Sequence, residues 1–176
     1  GWDVDLMAHL RRGGWALGLC GGYQMMGRRI SDSAGIEGAA GVSEGLGLLD
    51  FETDLTHAKT LNEATGVDCL SGAPVRGYEM HVGRTQGGAL DRPMLRLGDA
   101  ADGAVSADGR VMGCYLHGLF ASDDFRAAFL GRLKARAVSG VGYEAEVEAV
   151  LDRLAAHLEA HLNVDGLLAI AEARRC

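Results

Sequence analysis

Apolar and polar positions change their spacing several times along this chain, and each change marks an element. From residue 3 to 12, Leu6 and Leu10 fall one helical turn apart, and Gly13-Gly14 supplies the left-handed residue at which helices commonly stop. Trp15 to Leu19 is a short apolar run bounded by glycine, which predicts a buried strand. Tyr23, Met26 and Ile30 return at helical spacing, so a helix is expected from Gly21 to Arg29. Residues 31–45 lose the apolar period and are rich in Gly, Ser, Asp and Ala, the signature of a long loop of the kind that carries function. Gly45 to Thr56 and Val75 to Thr85 read as strands. Asp108-Gly109, between Ala104–Ser106 and Val111–Leu116, is a strong signal for a tight hairpin. Ser122 before Asp123 and Asp124 reads as the cap of a helix whose face continues through Phe125, Phe129 and Leu133. Val147, Val150, Leu151, Leu154 and Leu158 form the stripe of another helix over roughly 143–162, and Asp165 is placed to cap a last short one.

Strands mixed with helices predict an α/β domain, with a parallel core near the first strand and antiparallel additions near the hairpin. A length of 176 residues suits a single core, and with no repeat and two prolines (Pro74, Pro93) no linker is expected. Glycine changes the picture most: its 27 residues are about double the usual share of roughly 7% and imply tight turns and close backbone approaches. A formal charge of −7 argues against binding a nucleic-acid backbone, which calls for a basic surface. Cys20, Cys69, Cys114 and Cys176 have no disulfide-framework spacing, which suits a reducing compartment, so a cytoplasmic location is expected. Apolar runs stay far below the roughly 18 residues that cross a bilayer, and no basic-then-apolar leader opens the chain, so no membrane partner is expected.

The chemistry concentrates at Gly18-Leu19-Cys20-Gly21-Gly22, where a thiol stands between glycines at a strand-to-helix junction. This is a nucleophile elbow with cysteine in place of serine. Gly18 and Gly22 are expected to remove side chains that would collide across the turn. The helix starting at Gly21 directs unpaired N–H groups and partial positive charge at the sulfur, favouring thiolate, and the Gly21 N–H can stabilise an oxyanion. The bland alternative is a small buried core cysteine.

A thiol nucleophile needs a base within hydrogen-bond reach, which turns attention to the six histidines. His157 and His161 belong to a solvated helix face, and His9 and His57 lack a supporting pattern. His117, at the end of an apolar strand and followed by Gly118, is favoured over His81, which lies inside a strand-like segment. A metal site built on Cys114 and His117 is disfavoured, because a strand sends residues three apart to opposite faces and no second ligand pair is suitably spaced.

Three blocks, Gly18-Leu19-Cys20-Gly21-Gly22-Tyr23-Gln24, Gly77-Tyr78-Glu79-Met80-His81-Val82-Gly83-Arg84-Thr85 and Tyr115-Leu116-His117-Gly118-Leu119-Phe120, together resemble the glutamine amidotransferase domain of the cobyric acid synthase family. Weaker similarity in Gly45-Leu46-Gly47-Leu48-Leu49 and Asp102-Gly103-Ala104 extends the match. The resemblance implies a flavodoxin-like glutaminase fold with a mostly parallel central sheet flanked by helices, here a fragment beginning later than the family's domain. It implies Cys20 as nucleophile and His117 as base and acid. Gly21, Gly22, Gln24, Glu79, His81 and Tyr115 are the expected glutamine-binding positions, with Glu79 a candidate to orient His117. The wider triad class has a glutamate two residues after the histidine; here that position is Leu119, which fits a Cys-His dyad. The resemblance further implies no cofactor or metal in this domain, with ATP and Mg²⁺ used by a synthetase domain of the same protein, where no phosphate-binding loop is found in these residues. A glutaminase serving another synthetase (cobyrinate diamidation or peptidoglycan precursor amidation), a thiol hydrolase and a non-catalytic docking module are the competing readings.

Overall fold

The computed structural model describes residues 1–134 and 142–173, which fall into two compact units, Gly1–Val138 and Ser139–Cys176. Cys176 lies outside the described residues. In the first unit, helix α1 (Trp2–Arg11) leads through Gly13 to strand β1 (Ala16–Leu19), then Cys20, then helix α2 (Gly21–Met26). Helix α2 stops before Arg29 because the Arg28 N–H leaves the helical ladder to donate to the Phe51 carbonyl (2.7 Å). The expected loop contains two short strands, β2 (Arg29–Asp32) and β3 (Gly41–Glu44), paired antiparallel. A long hairpin follows, β4 (Glu52–Asp68) against β5 (Pro74–Gln86), then β6 (Leu95–Leu97), β7 (Ala100–Asp102), β8 (Ala104–Val105), β9 (Val111–Cys114), β10 (Leu116–His117) and helix α3 (Asp123–Leu133).

Two sheets share these strands. The smaller has the order β1-β9-β8, with β1 parallel to β9 and β8 antiparallel to it, so the parallel core expected near the first strand is the β1–β9 pair. The larger runs β10-β5-β4-β2-β3, with β6 joined to β4 and β7; its parallel ladder is β2–β4. Both sheets are therefore mixed rather than mostly parallel, because the β4–β5 hairpin and its neighbours pair by direct reversal rather than by crossover helices.

All four residues of β9 are buried, as expected of a strand covered on both faces. Period-two alternation divides them: Met112 and Cys114 enter a core with Leu95, Leu116, Phe125 and Phe129, while Val111 enters another with Tyr23, Met26, Phe51 and Tyr115. Inside the first unit Arg132 of α3 donates to Asp68 at the hairpin end (3.0 Å), a carboxylate with no exposure that also accepts from Ser71. The Ser122 side chain does not cap α3; its hydroxyl accepts from the Arg76 N–H (3.1 Å) and ties the helix start to β5.

The second unit contains helices α4 (Tyr143–His161) and α5 (Val164–Ala173). The expected stripe from Val147 to Leu158 is present on α4, and none of its residues is buried. Asn163, not Asp165, caps α5: its side-chain oxygen accepts from the Gly166 N–H (2.9 Å), three residues on, a reach that Asp165 inside the first turn lacks. No described helix is long and apolar enough to cross a membrane.

Candidate active site

Cys20 sits between β1 and α2 at φ 53° and ψ −118°, and among the described residues no other non-glycine has positive φ. Holding a residue with a Cβ there costs on the order of 1–3 kcal/mol, so its surroundings must over-determine it. They do so sterically. A Cβ on Gly18 would stand 2.6 Å from the Gly22 carbonyl oxygen and 2.8 Å from the Tyr23 Cα, so glycine lets α2 fold back over the strand. A Cβ on Gly113, the ladder partner of Gly18, would meet the Gly18 oxygen and the Tyr23 ring, each at 2.6 Å. Hydrogen bonds complete the clamp: the Cys20 N–H donates to the Cys114 carbonyl (3.0 Å), and the Cys20 carbonyl accepts from Tyr23 (2.9 Å) and Gln24 (3.1 Å). The expected collision at Gly22 is corrected, since a Cβ there would meet nothing within 4 Å. Gly22 lends its backbone to the close approach while its own Cα faces open space.

His117 arrives from the other sheet. After Cys114 the chain crosses at Tyr115, whose N–H donates to both oxygens of buried Asp102 (3.1 and 3.2 Å), and enters β10. There His117 pairs with Tyr78, and its carbonyl comes so near Gly77 that a Cβ on Gly77 would lie 1.8 Å from the oxygen. The His117 Nε2 is 3.2 Å from the Met80 carbonyl oxygen, to which the Cys20 thiol also donates (3.5 Å). Sulfur and imidazole thus converge on one oxygen and stand no farther apart than those two distances laid end to end. The Met80 carbonyl, rather than Glu79, orients the His117 ring. Glu79 places its carboxylate 3.7 Å from the His81 Nδ1 instead.

A cleft of about 260 Å³ opens at the thiol, bordered by Cys20, Gly21, Gln24, Glu37, Lys59 and His81. Gln24 is buried, and its amide donates to the Val82 carbonyl (3.2 Å), tying α2 to β5. Tyr115 stands behind His81, ring stacked on ring at 4.0 Å, with its hydroxyl bonded to Thr85 (2.6 Å). Of the positions expected to bind glutamine, Gly21, Gln24 and His81 border the cleft with Cys20, whereas Gly22, Glu79 and Tyr115 do not. Burial pulls the His81 pKa below its ordinary value, against the opposing pull of Glu79. Burial pushes the Cys114 thiol up, and its sulfur faces the Leu116 carbonyl (3.9 Å). Among the described residues no group of three or more His, Cys, Asp or Glu is placed to hold a metal ion.

Two cleft residues, Glu37 and Lys59, escape sequence reading. Asp32 accepts from the Ile36 N–H (2.7 Å) and the Glu37 N–H (3.0 Å), which holds its carboxyl below the usual range and folds the loop that carries Glu37 to the cleft. An Asp starting a Gly- and Ser-rich stretch is the signal for such a turn, though not for which residue it presents. Lys59 follows a break in the β4 ladder, where residues 55–58 stand against Gly83 alone. No sequence signal marks that break.

Comparison with known proteins decides the family. Residues 1–125 match the model of the CobB/CobQ-like glutamine amidotransferase domain. The chain belongs to that family. It is similar to the cobyric acid synthases of Bradyrhizobium sp. (strain ORS 278), 58% identical over 172 residues, Methylorubrum populi, 60% over 169, and Rhodobacter capsulatus, 57% over 171. These alignments cover 97%, 96% and 97% of this chain but 34%, 34% and 35% of the relatives, so the chain spans about a third of the length of the curated relatives it matches. That third is the CobB/CobQ-like glutamine amidotransferase region.

Proposed function

We propose that this CobB/CobQ-like domain hydrolyses glutamine at Cys20 and passes the ammonia to an ATP- and Mg²⁺-dependent synthetase domain of the same protein. That domain would amidate peripheral carboxylates of adenosylcobyrinic acid a,c-diamide, in the cytoplasm. The observation that carries the hydrolytic reading is the approach of the Cys20 thiol and the His117 Nε2 to the Met80 carbonyl oxygen.

Attack begins when both groups turn from that carbonyl to an incoming carboxamide. The Cys20 sulfur bonds to the amide carbon as its proton passes to His117, and the Gly21 N–H, unpaired at the start of the helix, donates to the oxyanion. The C–N bond then breaks, His117 returns the proton to the leaving nitrogen, and ammonia departs from a thioester. Water, deprotonated by His117, cleaves the thioester to glutamate and regenerates the thiol. Glu37 and Lys59 give the cleft one anion and one cation, the pair that fits the α-ammonium and α-carboxylate of a free amino acid. Gln24, clamped to Val82, holds the helix end against that cleft.

In the full-length enzyme Cys20→Ala lowers glutamine-dependent amidation by at least about a thousandfold, the scale on which a lost nucleophile acts. Amidation with ammonium salts persists. Equal loss of both activities refutes a purely ammonia-supplying role.

A further inference from the structure

Asp102 ends β7 and is 7% exposed, at the seam where the chain leaves β9 for β10. Its place is set by close packing on both sides. Gly103 follows at φ 74°, and a Cβ there would stand 2.0 Å from the Gly113 carbonyl oxygen and 2.8 Å from the Cys114 Cβ, so glycine is what lets Asp102 approach the end of β9. Across the ladder Asp102 pairs with Leu95, which has no exposed surface. Both carboxylate oxygens accept from the Tyr115 N–H, and the N–H groups of Leu116 and Gly103 also favour the charge. Tyr115 and Leu116 are the two residues before His117. Where the wider triad class keeps a glutamate, Leu119 is 1% exposed in the apolar core and supplies no carboxylate to the imidazole.

Burial works against this arrangement. It raises the Asp102 pKa to about 6, helped by the Glu79 carboxylate, so at neutral pH the fold carries a buried anion that an uncharged residue would avoid. Of the other ionisable groups around it, burial pushes Tyr23, Tyr115 and the Cys114 thiol up and pulls His81 down, and Arg84 is solvent-exposed. Main-chain N–H groups are therefore what hold the charge, and a carboxylate accepts them with two oxygens where an amide offers one. We propose that Asp102 is a positioning residue for glutamine hydrolysis, its carboxylate clamping the main chain at Tyr115 and Leu116 so that the His117 ring meets the Cys20 thiol. This rests on the glutaminase reading above. Asp102 touches neither glutamine nor the reacting atoms, since it borders a separate cavity of about 410 Å³ and not the Cys20 cleft.

The test compares the full-length wild type with Asp102→Asn and Asp102→Ala, by glutamate released from glutamine and by the urea midpoint of unfolding. Asparagine keeps the shape and one acceptor oxygen. At pH 7.5 kcat is expected to fall about tenfold in Asp102→Asn and about a hundredfold in Asp102→Ala, the scale of a misplaced reacting group, with KM within about twofold of wild type. Asp102→Asn should nevertheless unfold at a higher urea concentration than wild type at that pH, because the buried charge is gone. A carboxylate with a merely structural role would not yield an enzyme both slower and more stable. The pH profile adds a second readout: below about pH 6 the wild-type kcat should drop more steeply than that of Asp102→Asn, since only the wild type loses its clamp by protonation, while Glu79 and His81 titrate in both. An Asp102→Asn enzyme with wild-type kcat overturns the proposal, as does one that is slower with a lowered urea midpoint or an unaltered pH profile. A wild-type enzyme that forms no glutamate from glutamine sinks the glutaminase reading itself, a result distinct from these.

Discussion

The thiol and the imidazole reach one carbonyl by opposite routes. Cys20 is fixed by its near neighbours in sequence, Gly18 to Gln24, closed sterically against β9. His117 lies on a strand of two residues whose position depends on β5, itself paired along most of its length with the 17-residue β4. Long-range pairing of that kind carries a loop-closure cost that a local turn does not. It is also interrupted at residues 55–58, next to the cleft. The nucleophile is therefore built into the β1–β9 framework, whereas the alignment of the base is a property of the hairpin. Perturbing the hairpin should change chemistry while leaving the elbow intact.

The first way to sharpen this contrast is at Tyr115, where the chain passes from one region to the other and Asp102 accepts its N–H. Burial raises the Asp102 pKa to about 6, so the folded state holds this proton more tightly than the unfolded chain. The neutral carboxyl's contribution to stability is full below about pH 4 and is lost as pH rises through about 6, up to about 3 kcal/mol. Asp102→Asn removes that loss, because the amide oxygen still accepts from Tyr115 without taking charge. Urea unfolding of both proteins between pH 4 and 7.5 reads the difference; parallel pH profiles would break the assignment.

A matched pair of glycines tests the two regions separately. Gly77→Ala places a methyl against the His117 carbonyl and should shift β10, lowering kcat for glutamine hydrolysis by about a hundredfold, as sub-ångström to ångström misplacement does. Gly22→Ala, in the elbow but facing open space, should leave kcat within about twofold and mildly favour the helix. Equal effects from the two would mean that the base is as locally determined as the nucleophile.

The same contrast decides what could be read from sequence. The elbow was legible because apolar spacing switches from strand to helix at a cysteine between glycines, and β9 because it is apolar throughout. The far arm of β4 was not, since Thr56 to Glu63 are mostly exposed and no buried face imposes an alternation. His117 was legible as a strand-end histidine, but its orientation was not. The ring is held by a main-chain carbonyl, which any residue supplies, and so Glu79 was the visible candidate while Met80 was not. The loop from residue 31 to 45 was legible as functional in kind; that Asp32 turns it to present Glu37 depends on two backbone bonds.

Glu37 and Lys59 give the finest test, because they belong to the cleft through the loop and the hairpin rather than through the elbow. If they read the two charged ends of glutamine, Lys59→Met and Glu37→Gln should each raise KM while leaving kcat within about twofold, since neither touches the reacting amide. Both side chains are exposed, so solvent screens them and the rise should be only about three- to tenfold, below what a buried charged pair would give. Screening adds a second readout: the wild-type KM should climb with salt more steeply than that of the double variant. A fall in kcat with KM unchanged would instead mean that these charges set the position of the hairpin, and with it His117, moving them from substrate recognition to alignment of the base.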